Sequence, residues 1–206
     1  MKKQLVVFLA LTVFAVPATA QNLNLQQLRT AIEAGTLGTS ANVGTAATGS
    51  TAAELGQGKT HRTALTVSTT LPAIAGGADL AVGKLLYTFP AGEIIVTGAY
   101  MSLAITQTQG NITADTPDGG LGTTIGSGVV AELSGTAGNI LTGQTFNDCN
   151  GTAEVKTATP TAAAPLVIAA GGAHTVYFNV ADGWAASGDA AATLTGTVIL
   201  LWEFVV

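Results

Sequence analysis

The chain has 206 residues, of which 48% are hydrophobic and 9% are charged, and its formal net charge is −5. Soluble domains usually carry about 25% charged residues, and the sequence contains no basic run, so the composition excludes recognition of a nucleic-acid backbone. Cys149 is the only cysteine, which excludes an intramolecular disulfide and a thiolate metal cluster and favours a small loop or core residue.

Residues 1–20 have the pattern of a secretory signal. Lys2 and Lys3 precede an apolar run from Leu5 to Val16, which is too short to span a bilayer, and small residues up to Ala20 offer a cleavage site. The pattern predicts export with cleavage after Ala20 and no membrane contact of the mature form. The alternative is that the segment is retained as an apolar helix buried in an assembly.

Residues 21–34 are predicted to form a short amphipathic helix. Asn24 can cap it, Gln27 completes a capping-box-like pair, and Gly35 suits the position after its end. One narrow apolar stripe is formed by Leu25, Leu28 and Ile32. Because three turns are marginal in isolation, this helix needs a partner surface, either on its own domain or on another subunit.

Residues 35–60 are rich in Gly, Ala, Ser and Thr, which predicts a flexible linker arm. Within it, Ala53 to Thr60 reads AELGQGKT and resembles a phosphate-binding loop. Ala53 stands where that motif has its first glycine, and neither a buried strand before it nor a helix after it is expected. Nucleotide binding is therefore not predicted.

From residue 61 onward the pattern is β, organised around Lys84 to Ile105, KLLYTFPAGEIIVTGAYMSLAI. Two apolar strands are joined here by a turn at Phe89 to Gly92, because proline ends a strand and glycine frees the turn. The second strand alternates, which places one set of side chains on a buried face: Ile95, Thr97, Ala99, Met101, Leu103 and Ile105.

Further short strands are predicted before and after this stretch, among them 64–71, 121–133, 174–180 and 193–206, with Gly- and Pro-rich turns and no alternating helices. The pattern predicts an all-β domain over 61–206, an antiparallel β-sandwich or jelly roll, preceded by the N-terminal helix and flexible arm. Its predicted core includes Tyr87, Phe89, Ile95, Met101, Val176, Phe178, Trp184, Leu200, Trp202 and Phe204.

No residue pattern in the chain predicts catalysis, a cofactor or a metal. Neither His61 nor His174 has a second ligand at metal-site spacing. The loop aspartates Asp115, Asp118 and Asp148 are interpreted as turn formers, with calcium binding as the alternative. We therefore expect a protein that is not an enzyme.

Three stretches carry a resemblance to a known group of proteins: GKLLYTFPAGEIIVTGAYMSLAIT, DTPDGGLGTTIGSGVVAELSG and AAGGAHTVYFNVADGWAASGDAAATLTGTVILLWEF. Over residues 83–206 the chain resembles small structural proteins of tailed-bacteriophage virions, of the capsid decoration (cement) or minor head type. The shared motifs are structural, and the resemblance implies no catalytic residues.

The resemblance implies a homo-oligomer, a dimer or trimer, that binds a major capsid protein and resides in the virion. A charge-poor surface fits that role, because few ions are desolvated when another subunit docks. The signal-like residues 1–20 favour a different expectation, a secreted bacterial β-sandwich module for binding or adhesion.

Overall fold

The structure is a computed structural model that describes residues 44–57, 59–73, 81–106, 117–127, 133–146, 154–158, 165–181 and 191–205. Its strands are β1 (Thr45–Ala46), β2 (Ser50–Gln57), β3 (Thr60–Leu71), β4 (Ala81–Thr88), β5 (Ile94–Thr106), β6 (Asp118–Gly122), β7 (Leu141–Thr145), β8 (Glu154–Ala158), β9 (Leu166–Ile168), β10 (Thr175–Ala181) and β11 (Ala192–Phe204). A short 3-10 turn spans Gly135–Ala137. The predicted helix over 21–34 lies outside the described residues.

The strands form two antiparallel sheets that enclose one hydrophobic core. The five-stranded sheet has the order β1-β4-β10-β6-β7, and the six-stranded sheet has the order β2-β3-β11-β5-β8, with β9 also paired to β5. The core comes from the inward residues of both sheets, which alternate with outward ones along each strand. The prediction of an all-β antiparallel sandwich is confirmed.

The two strands of the Lys84–Ile105 stretch lie in different sheets, β4 in one and β5 in the other. The turn between them, with Gly92 at φ +122°, therefore carries the chain across the sandwich instead of closing a hairpin. His174 fastens this corner, because its Nε2 lies 2.7 Å from the Gly92 carbonyl oxygen and its Nδ1 lies 2.9 Å from that of Gly172.

The segment predicted as a flexible linker is part of the sandwich from residue 44 onward. β1 pairs with β4, and the eight residues of β2 pair with β3 in full register from Ser50↔Val67 to Gln57↔Thr60. The linker prediction is therefore wrong for 45–57, since small β-compatible residues form an edge strand once a neighbouring strand supplies hydrogen bonds. The AELGQGKT stretch begins within β2 and ends at the first residue of β3.

A β-bulge shifts the alternation of β5. Leu201 of β11 lies opposite Gly98, the next residue, Trp202, lies opposite Val96, and Thr97 is left over. Ile94 and Val96 are consequently buried before the bulge, whereas the residues buried after it are Ala99, Met101, Leu103 and Ile105. The predicted inward position of Ile95 and Thr97 is wrong for this reason. The strand predicted over 121–133 also ends early, at Gly122.

Candidate functional site

We call the outward side of the six-stranded sheet the open face. It consists of the outward residues of β2, β3, β11, β5 and β9, which alternate with the buried ones. Inward residues of β11 that are fully buried in the core hold the sheet in place; they include Val198, Leu200 and Trp202.

Hydroxyl groups and small side chains occupy one half of the open face. Strand register places Thr51, Thr66, Thr197 and Ser102 side by side across four strands. Beyond this row the outward positions of β3 and β11 are Ser68, Thr70, Thr193 and Thr195, all exposed. This half is polar without being charged, so its desolvation requires hydrogen-bond exchange and no loss of ion hydration.

Large apolar side chains occupy the other half of the open face. Ile199 lies opposite Tyr100 in the β11–β5 ladder, and Leu201 is the next outward residue of β11. Half-buried Ile95 pairs with Val167, which is 56% exposed. Large contiguous apolar patches on a protein surface are a common feature of interaction sites.

Two charged side chains, Arg62 and Glu203, occupy described outward positions of the open face, both at its apolar end. The phenol of Tyr100 is the other ionisable group at these positions. Arg62 lies opposite Leu201, and Glu203 lies opposite Thr60, so the two charges are diagonal neighbours on β3 and β11. The open face thus has an uncharged middle and one pair of opposite charges at its margin.

A buried polar cluster lies directly beneath the apolar half and fixes edge strand β2. The Glu54 carboxylate is at its centre: Thr63 Oγ1 donates to Glu54 Oε2 at 3.1 Å, and the Tyr87 hydroxyl donates to the same oxygen at 3.0 Å. His61 Nδ1 lies 3.1 Å from Glu54 Oε1. His61, Thr63 and Tyr87 are each almost completely buried, so these contacts are shielded from water.

Two hydrogen-bond relays converge on Glu54 Oε2. Trp202 Nε1 donates to Thr63 Oγ1 at 2.8 Å, and the Gly44 backbone N–H donates to the Tyr87 hydroxyl at 2.9 Å. Each hydroxyl accepts one N–H and directs its own hydrogen to the carboxylate. Glu54 therefore joins β2, β3, β4 and β11, and through Tyr87 it links both sheets to the Gly44 amide.

Aromatic packing completes this cluster. The His61 ring stacks on Trp202 at 4.2 Å between centroids with an interplanar angle of 10°, and Phe204 contacts both rings edge-on. Burial raises the pKa of the Tyr87 phenol well above its usual range; the hydrogen bond with Thr63 opposes this shift and the Glu54 charge adds to it. The geometry of the cluster is that of a structural network.

The outward side of the five-stranded sheet, which we call the covered face, is covered by the chain itself around Asn179. Asn179, in the middle of β10, is buried although it points outward. Its Nδ2 donates to the carbonyls of Thr124 and Ala137 at 2.9 and 2.7 Å, and its Oδ1 accepts from the Gly126 N–H at 3.0 Å. These bonds hold the segments around 123–127 and 133–140 against the sheet.

The predicted core residues fall into three groups. Tyr87, Phe89, Met101, Val176, Phe178, Leu200 and Trp202 are buried in the core. Phe204 packs half-buried against it, and Ile95 belongs to the open face instead. Trp184 and the predicted arm residues Leu25, Leu28 and Ile32 lie outside the described residues.

The sequence prediction missed Glu54, Thr63 and Asn179. The alternation of β3 did contain a signal, because extending it back from Leu65 by two and four residues places Thr63 and His61 on the inward face. Nothing local marks Glu54, since its role depends on pairing with β3 and on the approach of Tyr87 from the other sheet.

Among the described residues, the predicted ligand candidates His61, His174 and Asp118 do not form a metal-binding group. Within the described ranges no group of three or more His, Cys, Asp or Glu side chains could hold a metal ion. Asp118 begins β6 and accepts the Leu133 N–H at 2.9 Å, as a loop-ordering residue does. Asp115, Asp148 and Cys149 lie outside the described residues. No helix in the described part is long and apolar enough to cross a membrane.

Comparison with known proteins gives little. No family model matches the chain, and no curated protein matches it. A solved structure with partial similarity is an arabinose-bound GH51 α-L-arabinofuranosidase, at 11% identity and a TM-score of 0.38, over 77% of this chain and 23% of that one. The chain thus spans about a quarter of that protein, and a similarity this low supports no argument about fold or activity.

Proposed function

We propose that this chain is a non-enzymatic structural protein that docks against neighbouring subunits through its open face, as a decoration or cement component of a phage virion. The observation that carries the proposal is the uncharged middle of that face, in which hydroxyl rows adjoin Tyr100, Ile199 and Leu201. Charged side chains are depleted and tyrosine is enriched at the centres of protein interfaces.

The contrast between the two outer faces supports docking. On the covered face the chain supplies its own cover through Asn179. On the open face half-buried and exposed apolar side chains remain without such a cover in the described part of the chain. A subunit that packs there removes apolar area from water at a gain of about 25 cal/mol per Å².

The virion assignment rests on the resemblance over residues 83–206. Its quoted stretches fall on β4 and β5, on β6, and on β10 and β11, which are central strands of the two sheets. The shared motifs are therefore positions of the core and of the faces. Proteins of this type act by burying surface, and a major capsid protein is the natural neighbour.

A second candidate function is a secreted binding or adhesion module, and the signal-like residues 1–20 favour it. In that case the same open face would bind a surface or receptor outside the cell.

One experiment separates the two functions: mass spectrometry of gradient-purified particles and of the culture medium from the native source. The virion role predicts the protein in particles at a fixed ratio to a capsid protein. A chain that begins at Gln21, found in the medium and absent from particles, would overturn the virion role and support the secreted module.

A further inference from the structure

We propose that two copies of this chain associate through their open faces about a two-fold axis, so that the occupant of the face is a second copy. This inference rests on the docking role proposed above and names the partner. It concerns the outward residues of β2, β3, β11, β5 and β9.

The area of the face matches what a stable dimer needs. Strands lie about 4.8 Å apart and rise about 3.4 Å per residue, so each residue of β2, β3, β11, β5 and β9 covers about 16 Å², and these strands have 8, 12, 13, 13 and 3 residues. The projected area of these strands is therefore about 800 Å², the surface that each partner buries in an interface of standard size.

The two charges at the margin select the orientation. A two-fold axis that runs parallel to the strands, between β3 and β11, keeps the charged ends of both copies together. It places β3 of each copy opposite β11 of the other copy. Each copy's Arg62 then lies opposite the other copy's Leu201 and one outward position, about 7 Å along the strand, from its Glu203, a separation that these two long side chains can bridge. An axis across the strands would place both charges over uncharged threonines, where each would lose hydration and keep only its diagonal neighbour within the same copy.

The same axis also brings the uncharged outward residues of one copy opposite those of the other copy. Thr197 and Thr66 meet the hydroxyl rows of the second copy, which can exchange hydrogen bonds because a hydroxyl both donates and accepts. Ile199, Leu201 and Tyr100 meet the apolar half. Two twisted sheets pack in this way with strands about 30° apart and about 10 Å between sheets, which is an isologous interface.

The test is sedimentation of the full chain from about 1 to about 100 µM, with Ile199→Lys as the disrupting variant and Glu93→Lys as the matched control. Glu93 is exposed in the turn before β5 and does not belong to the open face. We expect a dimer for the wild type and the control, and at least a tenfold weaker association for Ile199→Lys. Circular dichroism verifies that each variant is folded.

A charge exchange keeps the test valid if Ile199→Lys fails to fold. Arg62→Glu or Glu203→Arg alone should weaken the dimer, and the double exchange should restore it in a salt-dependent manner. A wild type that remains monomeric, or a dimer unaffected by all these variants, would overturn the proposal. A monomer that is nevertheless found in purified particles would identify a capsid subunit as the occupant and leave the virion role standing.

Discussion

The two outer faces of the sandwich differ in whether the described chain covers them. The covered face is closed by loop segments that bond to one buried amide, Asn179, whereas the open face carries hydroxyl rows and apolar side chains outward. The buried amide on the covered face therefore serves folding, whereas the outward residues of the open face have no such cover within the described part of the chain. Variants of the two faces should therefore differ in kind, the first in stability and the second in association.

The largest effect is expected at Gly196, which lies in the middle of β11 beneath the open face at φ +136°. A Cβ at this position would overlap the Ser102 carbonyl oxygen and crowd Leu103 Cα at 2.9 Å. Gly196→Ala should lower the free energy of unfolding by about 4 kcal/mol, since backbone on β5 must move and the conformation is strained for alanine. Denaturant unfolding measures this change.

Gly171→Ala is the control, because a Cβ there meets no atom within 4 Å. It should change stability by less than about 0.5 kcal/mol. Equal stability of the two variants would contradict the role assigned to Gly196.

The next effect concerns the cluster that joins the two sheets. Glu54→Leu removes the acceptor of Thr63 and Tyr87 and leaves the hydrogens of two buried hydroxyls without an acceptor, so it should cost about 3 kcal/mol. Glu54→Gln should cost less, because the amide oxygen can still accept both hydroxyls. Urea titration of the two variants, with the exposed Glu93→Ala as a control, gives the order; a Gln variant as unstable as the Leu variant would show that charge and not acceptor geometry matters.

Asn179→Ala sharpens the contrast between the faces. It removes three hydrogen bonds that hold residues 124, 126 and 137 against β10, and we expect a loss of about 2 kcal/mol. Hydrogen exchange should show faster exchange of the Gly126 amide. Thr195→Ala on the open face should leave stability within about 0.5 kcal/mol; a comparable loss there would remove the distinction between the faces.

Sequence patterns predicted much of the fold and little of the site. Alternation located β3, β10 and β11, because their inward residues are apolar and two positions apart. It failed where long-range pairing decides: the bulge at Thr97 reverses the facing of Ile95, and the glycine- and alanine-rich residues of β2 become a strand only through β3. Glu54 and Asn179 could not be found locally, since what makes them structural is the approach of other strands and loops.

The smallest expected effect on stability concerns Tyr87. This residue belongs to the five-stranded sheet and donates a hydrogen bond to Glu54 of the six-stranded sheet, so it couples the two sheets. Burial raises the pKa of this phenol, so the folded protein keeps the proton when the unfolded chain loses it near pH 10. The corresponding stability is complete below about pH 10 and decreases above it, by up to about 1.4 kcal/mol per pH unit.

Tyr87→Phe removes the titrating group together with its bonds to Glu54 and the Gly44 amide. The variant should be about 1 kcal/mol less stable at neutral pH and should lose stability less steeply than the wild type above pH 10. Urea unfolding of both proteins at matched pH values measures the difference in slope, which cancels the titration of all other groups. Parallel pH profiles would mean that water reaches the phenol, and that the cluster does not seal the sheets together as the burial of Tyr87, Thr63 and His61 requires.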